Sequence, residues 1–373
     1  MEKHKEKKQY MKKKKILHLV EAFGGGVYTY MKGLANRTCD EYDIVIAYSK
    51  RAQTPENFMD EFDKRIKFVE VKNFSRSIGM QDFKALSEVR DTIKKEKPDI
   101  VHLHSSKAGV IGRLAIKNKN IKVFYTPHGY SFFKKDDSKL KRAMYKSIEK
   151  VVATYNKDCI TIACSEGEYN QAKEISRNCE YVNNGINTEH IDRYVSRNND
   201  ACKIKSDKLK IGAIGRIDTQ KNPQLFNQIA EKFPDIDFIW IGDGNQRDLL
   251  KSENIKITGW LKNDKAIEQI ADCDVFLLPS LWEGLPMSLL EAMYMQKVCI
   301  VSNISGNNNV IKNGINGFIC ENIDEYCDVI SKVKNSEFNT EEIAINARNS
   351  VVKEYNLDVM SNKYKEIYKQ YEI

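Results

Sequence analysis

Long hydrophobic runs are missing from this 373-residue chain. Its uninterrupted apolar stretches are strand-length, so no transmembrane helix is expected. The basic start leads into Ile16-Leu17-His18-Leu19-Val20, too short for the apolar region of a signal peptide, and none is expected. The nine cysteines, Cys39, Cys159, Cys164, Cys179, Cys202, Cys273, Cys299, Cys320 and Cys327, contain no C-x-x-C pair. Their odd number and scattered spacing point to free thiols in a reducing cytoplasm. No His/Cys/Asp cluster has metal-ligand spacing, so no metal is expected. Low-complexity tracts are absent as well. A hydrophobic share of 41% over this length suits two domains of ordinary size with real cores.

The charge is uneven. Residues 1–15 hold eight Lys against two Glu, which accounts for six of the chain's net +8. A tail 1–14 of this kind is most often only solubilising, though it could also rest on anionic lipid. A second basic segment, Phe132 to Lys150, carries seven cations against three acids. Leu140, Met144, Ile148 and Val152 recur in it every fourth residue, behind Phe132 and Phe133. This pattern reads as a helix lying on an anionic membrane surface, with an ordinary amphipathic domain helix as the alternative. Nucleic acid is not expected as a partner, since no base-reading motif accompanies the charge.

Two series of alternating strands and helices follow one another. The first has strand patterns at Lys15–Glu21, Tyr42–Tyr48, Ile66–Glu70, Ile100–His104, Lys122–Pro127, Cys159–Ala163 and Glu180–Val182, with helical patterns such as Val27–Arg37, Met80–Glu96 and Val110–Lys117. The second has strands at Leu209–Ile214, Asp237–Ile241, Ile255–Thr258, Asp274–Leu278, Val298–Val301 and Gly317–Ile319, with helices such as Pro223–Lys232 and Lys265–Ala271. Such alternation argues for parallel sheets with helices on both faces. The expected division is an N-terminal domain over 15–185, a polar linker over 186–208, a C-terminal domain over 209–356 and a charged helix over 357–373. Ligands in doubly wound sheets sit at the carboxyl ends of strands, so the cleft between the halves is the expected site.

The most informative string is Pro279 to Met295. Asp274-Val275-Phe276-Leu277-Leu278 ahead of it reads as a buried parallel strand, and Pro286 suits the first turn of the helix behind it. Between them, Gly284 lets a partner approach the backbone, and the helix-start amides near Leu285 form an anion seat. Glu283 then stands at the mouth of the sheet, and Glu291 about 8–9 Å up the helix from Leu285. Two acids bracketing an anion seat suit a nucleotide that carries a sugar at each end. Gly215-Arg216-Ile217-Asp218-Thr219-Gln220-Lys221-Asn222-Pro223 adds two cations after another strand, a guanidinium fork and a mobile ammonium that could neutralise a departing diphosphate.

Other loops are weaker signals. Gly24-Gly25-Gly26 follows the first strand but lacks the full dinucleotide glycine spacing. His128, in Thr126-Pro127-His128-Gly129-Tyr130, sits at a strand end, as does His104, read as cleft lining, whereas His18 is expected in the core. Gly242-Asp243-Gly244 looks like a tight turn beside the nucleotide, and Thr258-Gly259-Trp260-Leu261 a strand end able to meet a base. Asp272-Cys273-Asp274 is a D-x-D string, but its acids are expected to close a helix and open a strand, away from the carboxyl end.

From Gly24 to Glu291 the order of these motifs resembles the family-4 retaining glycosyltransferases. The likeness rests on the Pro-Ser, Glu-Gly-x-Pro and Leu-Glu-Ala-Met elements of the E-x7-E segment and on the G-R-x(4)-K-N segment. It implies a two-domain GT-B fold, two Rossmann-like halves facing across a cleft. The implied reaction is metal-independent transfer of a sugar, with retention, from a nucleotide diphosphate-sugar to a hydroxyl. No cofactor is implied beyond that donor substrate. Arg216 and Lys221 would hold the diphosphate, Glu283 the donor sugar, Glu291 the ribose, and His128 would touch the sugar from the other domain. Gly25, Gly26, Gly215, Gly242, Gly259, Gly284, Leu285 and Ser288 would line the donor site. The basic Phe132–Lys150 segment suggests a lipid-linked saccharide acceptor in capsule, exopolysaccharide or cell-wall synthesis, with the enzyme peripheral on the inner face of the cell membrane. The family usually has an acid where Asn309 stands. A nucleotide-sugar 2-epimerase, a dinucleotide-dependent oxidoreductase, which would need the full glycine fingerprint, and a non-catalytic partner subunit are the competing readings.

Overall fold

The computed structural model describes residues 13–51, 53–75, 79–195 and 208–371. The expected basic tail, apart from Lys13 and Lys14, and the centre of the expected linker lie outside the described residues. The first sheet comprises β1 (Lys15–Phe23), β2 (Asp43–Lys50), β3 (Lys67–Glu70), β4 (Ile100–His104), β5 (Lys122–Thr126), β6 (Ile160–Ala163) and β7 (Asn178–Tyr181), in the order β3-β2-β1-β4-β5-β6-β7. The second comprises β8 (Lys210–Ile214), β9 (Asp237–Ile241), β10 (Ile255–Ile257), β11 (Val275–Leu278), β12 (Val298–Ser302) and β13 (Phe318–Cys320), in the order β10-β9-β8-β11-β12-β13. Every pairing in both is parallel. β4 and β11 are buried at every position, the pattern of strands covered on both faces. This is the two-lobed GT-B architecture.

The helices of the first half are α1 (Gly25–Thr38), α2 (Gln81–Glu96), α3 (Ser106–Ala115), α4 (Lys139–Tyr155), α5 (Glu166–Lys173) and α6 (Thr188–Val195). Those of the second are α7 (Pro223–Lys232), α8 (Asn263–Ala271), α9 (Met287–Tyr294), α10 (Ser305–Asn308), α11 (Ile323–Lys334), α12 (Thr340–Glu354) and α13 (Leu357–Gln370). Start signals are legible in several. Asn222 caps α7 ahead of Pro223, and Ser165 and Asn356 cap α5 and α13 through their side chains.

Three differences from the sequence reading have physical causes. The stretch read as an irregular linker contains α6, a short amphipathic helix whose Ile191 is buried and which packs beside α8. Helix α3 begins at Ser106 rather than Val110 because its glycines fit tight packing. A Cβ on Gly109 would stand 2.4 Å from the Tyr125 ring, and one on Gly112 would stand 2.2 Å from Leu103. Finally, α13 crosses back to the first lobe. Leu357, Met360, Tyr364, Ile367 and Tyr368 are buried there against α1 and β5, in one core with Tyr30, Leu34 and Phe124. The return is held where Ile186 and Asn356 bridge as two parallel residues, with the Leu357 amide donating to the Ile186 carbonyl at 2.9 Å.

The strand orders reverse between β1 and β4 and between β8 and β11. Loops that leave these four strands are therefore the ones that open onto a switch-point crevice. They contain Gly24–Gly26, Gly215–Lys221 and Glu283, and His104 is the last residue of β4.

Candidate active site

Lys221 and Glu283 meet directly. The Lys221 Nζ lies 2.6 Å from Glu283 Oε1, with only 15% and 8% of the two side chains exposed. Gln220 clamps the acid's other oxygen, donating from Nε2 to Glu283 Oε2 and to the Trp282 carbonyl, both at 3.1 Å. The Leu281 amide returns a bond to the Gln220 carbonyl at 2.8 Å. The loops after β8 and β11 are thus laced together, although some sixty residues separate them. Sequence reading missed Gln220, an ordinary-looking residue inside the recognised basic segment.

Glycines set the spacing of these loops. At Gly215, with φ of 142°, the Lys221 stem passes so close that a Cβ would stand 2.9 Å from it. At Gly242, with φ of 140°, a Cβ would meet the Gly215 carbonyl oxygen at 2.1 Å. Gly242 also bridges Gly259, beyond which the exposed Trp260 stands. Arg216 faces an inter-lobe cavity of about 450 Å³ together with Gln220, Asn245, Trp260 and Trp282, while Gln53, Lys134 and Asp136 line it from the first lobe. Its Nε is buried with no partner among the described residues, and its Nη1 stands 3.6 Å from Asp218. Gly25 and Gly26, at the start of α1, have open space where a Cβ would be, and Gly24 packs against Gln53 at the edge of that cavity.

Pro286 is the residue before α9, extended at φ −74°, and the helix starts at Met287 rather than at the proline. Among the described residues nothing accepts from the amides of Leu285, Met287 and Ser288, which leaves them for a ligand. The Leu285 carbonyl is held from the first lobe by Asn184 Nδ2 at 2.9 Å. Glu291, part-buried on the next turn, has its carboxyl pushed up to about 7 by burial, partly offset by the Lys32 ammonium of α1. Among the described residues no hydrogen bond or ion pair joins Glu291 to the Lys221–Glu283 pair.

His128 faces this group from the other lobe. A Cβ on Gly284 would stand 3.3 Å from the Gly129 amide nitrogen, so the two loops touch backbone to backbone. His128 itself has φ of 53°, a left-handed conformation that a β-carbon disfavours. It is held there by Glu168, buried below, which accepts from the Gly129 amide at 2.7 Å and the Cys164 amide at 2.8 Å. Burial drives the His128 imidazole down to about 3, so it is neutral at any working pH. Tyr30 meets its ring edge-to-face at 4.5 Å. His104 does not line the cleft. It is wholly buried behind His128, because β4 carries it inward.

Asn309 closes α10. Its side chain reaches the first lobe and accepts from the Gly167 amide at 3.1 Å, at the start of α5. It is a tie between lobes. Asp272 and Asp274 stand at the end of α8 and the opening of β11, where Asp274 accepts from the Lys210 amide at 2.9 Å. They lie at the opposite end of the strand from Glu283.

Two family descriptions match the chain, Glycosyltransferase Family 4 over residues 24–190 and Glycosyl transferases group 1 over residues 196–350. A UDP-Gal:α-D-GlcNAc-diphosphoundecaprenol α-1,3-galactosyltransferase of Escherichia coli is 31% identical over 83% of this chain and 85% of its own. The chain belongs to glycosyltransferase family 4. An uncharacterised 41.2 kDa protein of the cps region of Klebsiella pneumoniae is 29% identical over 95% of this glycosyltransferase and 99% of its own length. Among solved structures, Anabaena HepE in complex with UDP and glucose superposes with a TM-score of 0.76 over 95% of this chain and 99% of that one, at 17% identity. That likeness is one of fold.

Proposed function

We propose that this glycosyltransferase moves a sugar, with retention and without a metal ion, from a nucleotide diphosphate-sugar to a hydroxyl of a lipid-linked saccharide. The observation that carries the reading is the meeting of Lys221, Gln220 and Glu283 with the His128-Gly129 turn of the other lobe. Arg216 and Lys221 supply the positive charge that a departing diphosphate needs, aided by the free amides at the start of α9. Glu283, oriented by Gln220, accepts from hydroxyls of the donor sugar, and Glu291 from the ribose. The bond from the anomeric carbon to the diphosphate breaks, and the acceptor oxygen bonds to that carbon on the same face. The acceptor's proton passes to the departing phosphate oxygen, so no separate carboxylate base is required. The UDP and glucose of the HepE complex, and the diphosphoundecaprenol in the name of the E. coli relative, support this choice of donor and acceptor classes. The cps-region relative supports a place in capsule assembly.

Among the described residues no helix is long and apolar enough to cross a membrane. Helix α4 suits docking to the inner face of the cell membrane instead. Its exposed row is Leu140, Met144, Val151 and Tyr155, on one side of the helix. Lys139 and Lys150 flank that row and are exposed. The periodic row read from the sequence shares its first two members, whereas Val152 is buried and Ile148 half-covered. This arrangement supports the reading of a peripheral cytoplasmic enzyme.

The test is incubation with UDP-sugars and a diphosphoundecaprenyl saccharide. Free UDP that forms only with acceptor, and a product that keeps the donor's anomeric configuration, are expected. Isomerised nucleotide-sugar without acceptor would replace this reading by an epimerase. For docking, Leu140→Glu and Val151→Glu should each weaken binding to phosphatidylglycerol vesicles about tenfold. Unchanged binding would remove α4 from the surface.

A further inference from the structure

From His128 three imidazoles run inward in single file, His128 itself being the first. His128 Nε2 lies 3.0 Å from His104 Nδ1, and His104 Nε2 lies 3.0 Å from His18 Nδ1. The file ends there, since His18 Nε2 is buried with no partner among the described residues. At the other end, nothing among the described residues bonds to His128 Nδ1, and the ring is only part-buried. We infer that His104 and His18 are positioning residues that lock His128 in the tautomer that offers its Nδ1–H to the cleft.

The argument is one of hydrogen counting. Burial drives His18 and His128 to about 3 and His104 well below its usual value, so all three rings are neutral. A neutral imidazole has one N–H and one bare nitrogen, so two successive bonds can be polarised in only two ways. If the N–H groups point inward, the file ends on a His18 Nε2–H donor with nothing to receive it. If they point outward, His18 donates to His104, His104 donates to His128, and the orphan is a bare His18 nitrogen. Buried orphan N–H groups are the rarer and costlier of the two. Outward polarity therefore wins. His128 then accepts at Nε2 and has its proton on Nδ1, facing the cleft. Resting on the reading that His128 faces the transferred sugar, that N–H donates to a sugar oxygen, complementing Glu283, which only accepts.

The three buried rings His18, His102 and His104 are also near enough to share a cation. That alternative is poorer. His102 is committed at both nitrogens, to Tyr368 Oη at 2.6 Å and Thr126 Oγ1 at 2.9 Å, and among the described residues no carboxylate joins the cluster to offset the charge.

The experiment is long-range ¹H–¹⁵N correlation on histidine-labelled protein, whose six histidines are assigned by single substitution. Nδ1–H tautomers at His18, His104 and His128 are expected. His104→Met puts only a weak acceptor beside His128 Nε2, so His128 should invert to Nε2–H and kcat/KM should fall about tenfold. His104→Gln can still donate, and should retain the tautomer and most of the activity. An Nε2–H tautomer at His128 in the unaltered protein would overturn the inference. So would one divalent ion per chain by elemental analysis, or equal losses in both variants with the tautomer unchanged. If the tautomer is as expected but His128→Ala transfers normally, the relay stands and the assignment of His128 to the site fails.

Discussion

Lys221 and Glu283 neutralise each other in a place that admits little water, and taking them out singly and together separates what they do for stability from what they do for transfer. Lys221→Met leaves the Glu283 carboxylate, whose side chain is 8% exposed, with Gln220 as its remaining partner. Broken buried pairs cost about 3–5 kcal/mol, and the partial exposure of Lys221 places this one near 3. Glu283→Gln strands the ammonium instead and should cost somewhat less, since the long lysine stem can swing outward. The double variant leaves no unpaired charge and should recover about 2 kcal/mol relative to the sum of the singles, read from urea midpoints. Activity should behave in the opposite way. If both charges act on the diphosphate and sugar in the transition state, each single variant loses at least about 100-fold in kcat, and the double regains nothing. Additive stability losses would show that the 2.6 Å contact is not a functioning pair. A turnover near normal in either single variant would refute the catalytic assignment outright.

Glu291 gives a pH signature. Its folded value near 7 lies above its ordinary 4.5, so burying the carboxylate costs nothing below pH 4.5 and its full amount above 7. Glu291→Gln should raise stability at pH 8 by up to about 3 kcal/mol and leave it unchanged near pH 4.5, as thermal melts would show. Binding of UDP to the unaltered protein should weaken as pH falls through 7, and the variant should lose that dependence. Gly306→Ala places a Cβ 2.7 Å from the Gly284 carbonyl and 2.9 Å from Glu283 Cβ, so it should displace the Glu283 loop. Transfer should drop at least about tenfold with the far-ultraviolet circular dichroism unchanged. Far from the site, Arg113 is 1% exposed and pairs with Glu149 at 2.8 Å, while Tyr125 donates to the same acid at 2.8 Å. Arg113→Leu should cost about 4 kcal/mol in denaturant melts, because a buried carboxylate loses its cation.

Local chemistry was legible and long-range pairing was not. Glu283, Arg216 and Lys221 could be named because a glycine at the end of an apolar run, followed by a helix start, has the same meaning in any α/β fold. Gln220 carries no such mark, and only the approach of the Trp282 carbonyl makes it a clamp. His18 and His104 read as core and cleft lining because nothing in a strand pattern tells which residue of a neighbouring strand it faces. The register of β1 against β4, with Val20 opposite His104, brings the two rings together.

In α4 the apolar residues permit two rows that share Leu140 and Met144, and packing of Val152 inward decided that Val151 and Tyr155 remain outside. The C-terminal helix reads as charged and helical, yet its Tyr364 and Tyr368 complete the first lobe's core more than two hundred residues away in sequence. By itself, then, the order of residues determined the kinds of element, the loops at the strand ends and the family. The tertiary structure alone decided which loops touch across the cleft, which face of α4 meets solvent and where the buried histidines form their file. Periodicity and turn chemistry act over a few residues, whereas those outcomes depend on free energies of burial and hydrogen bonding that exist only once distant segments have packed.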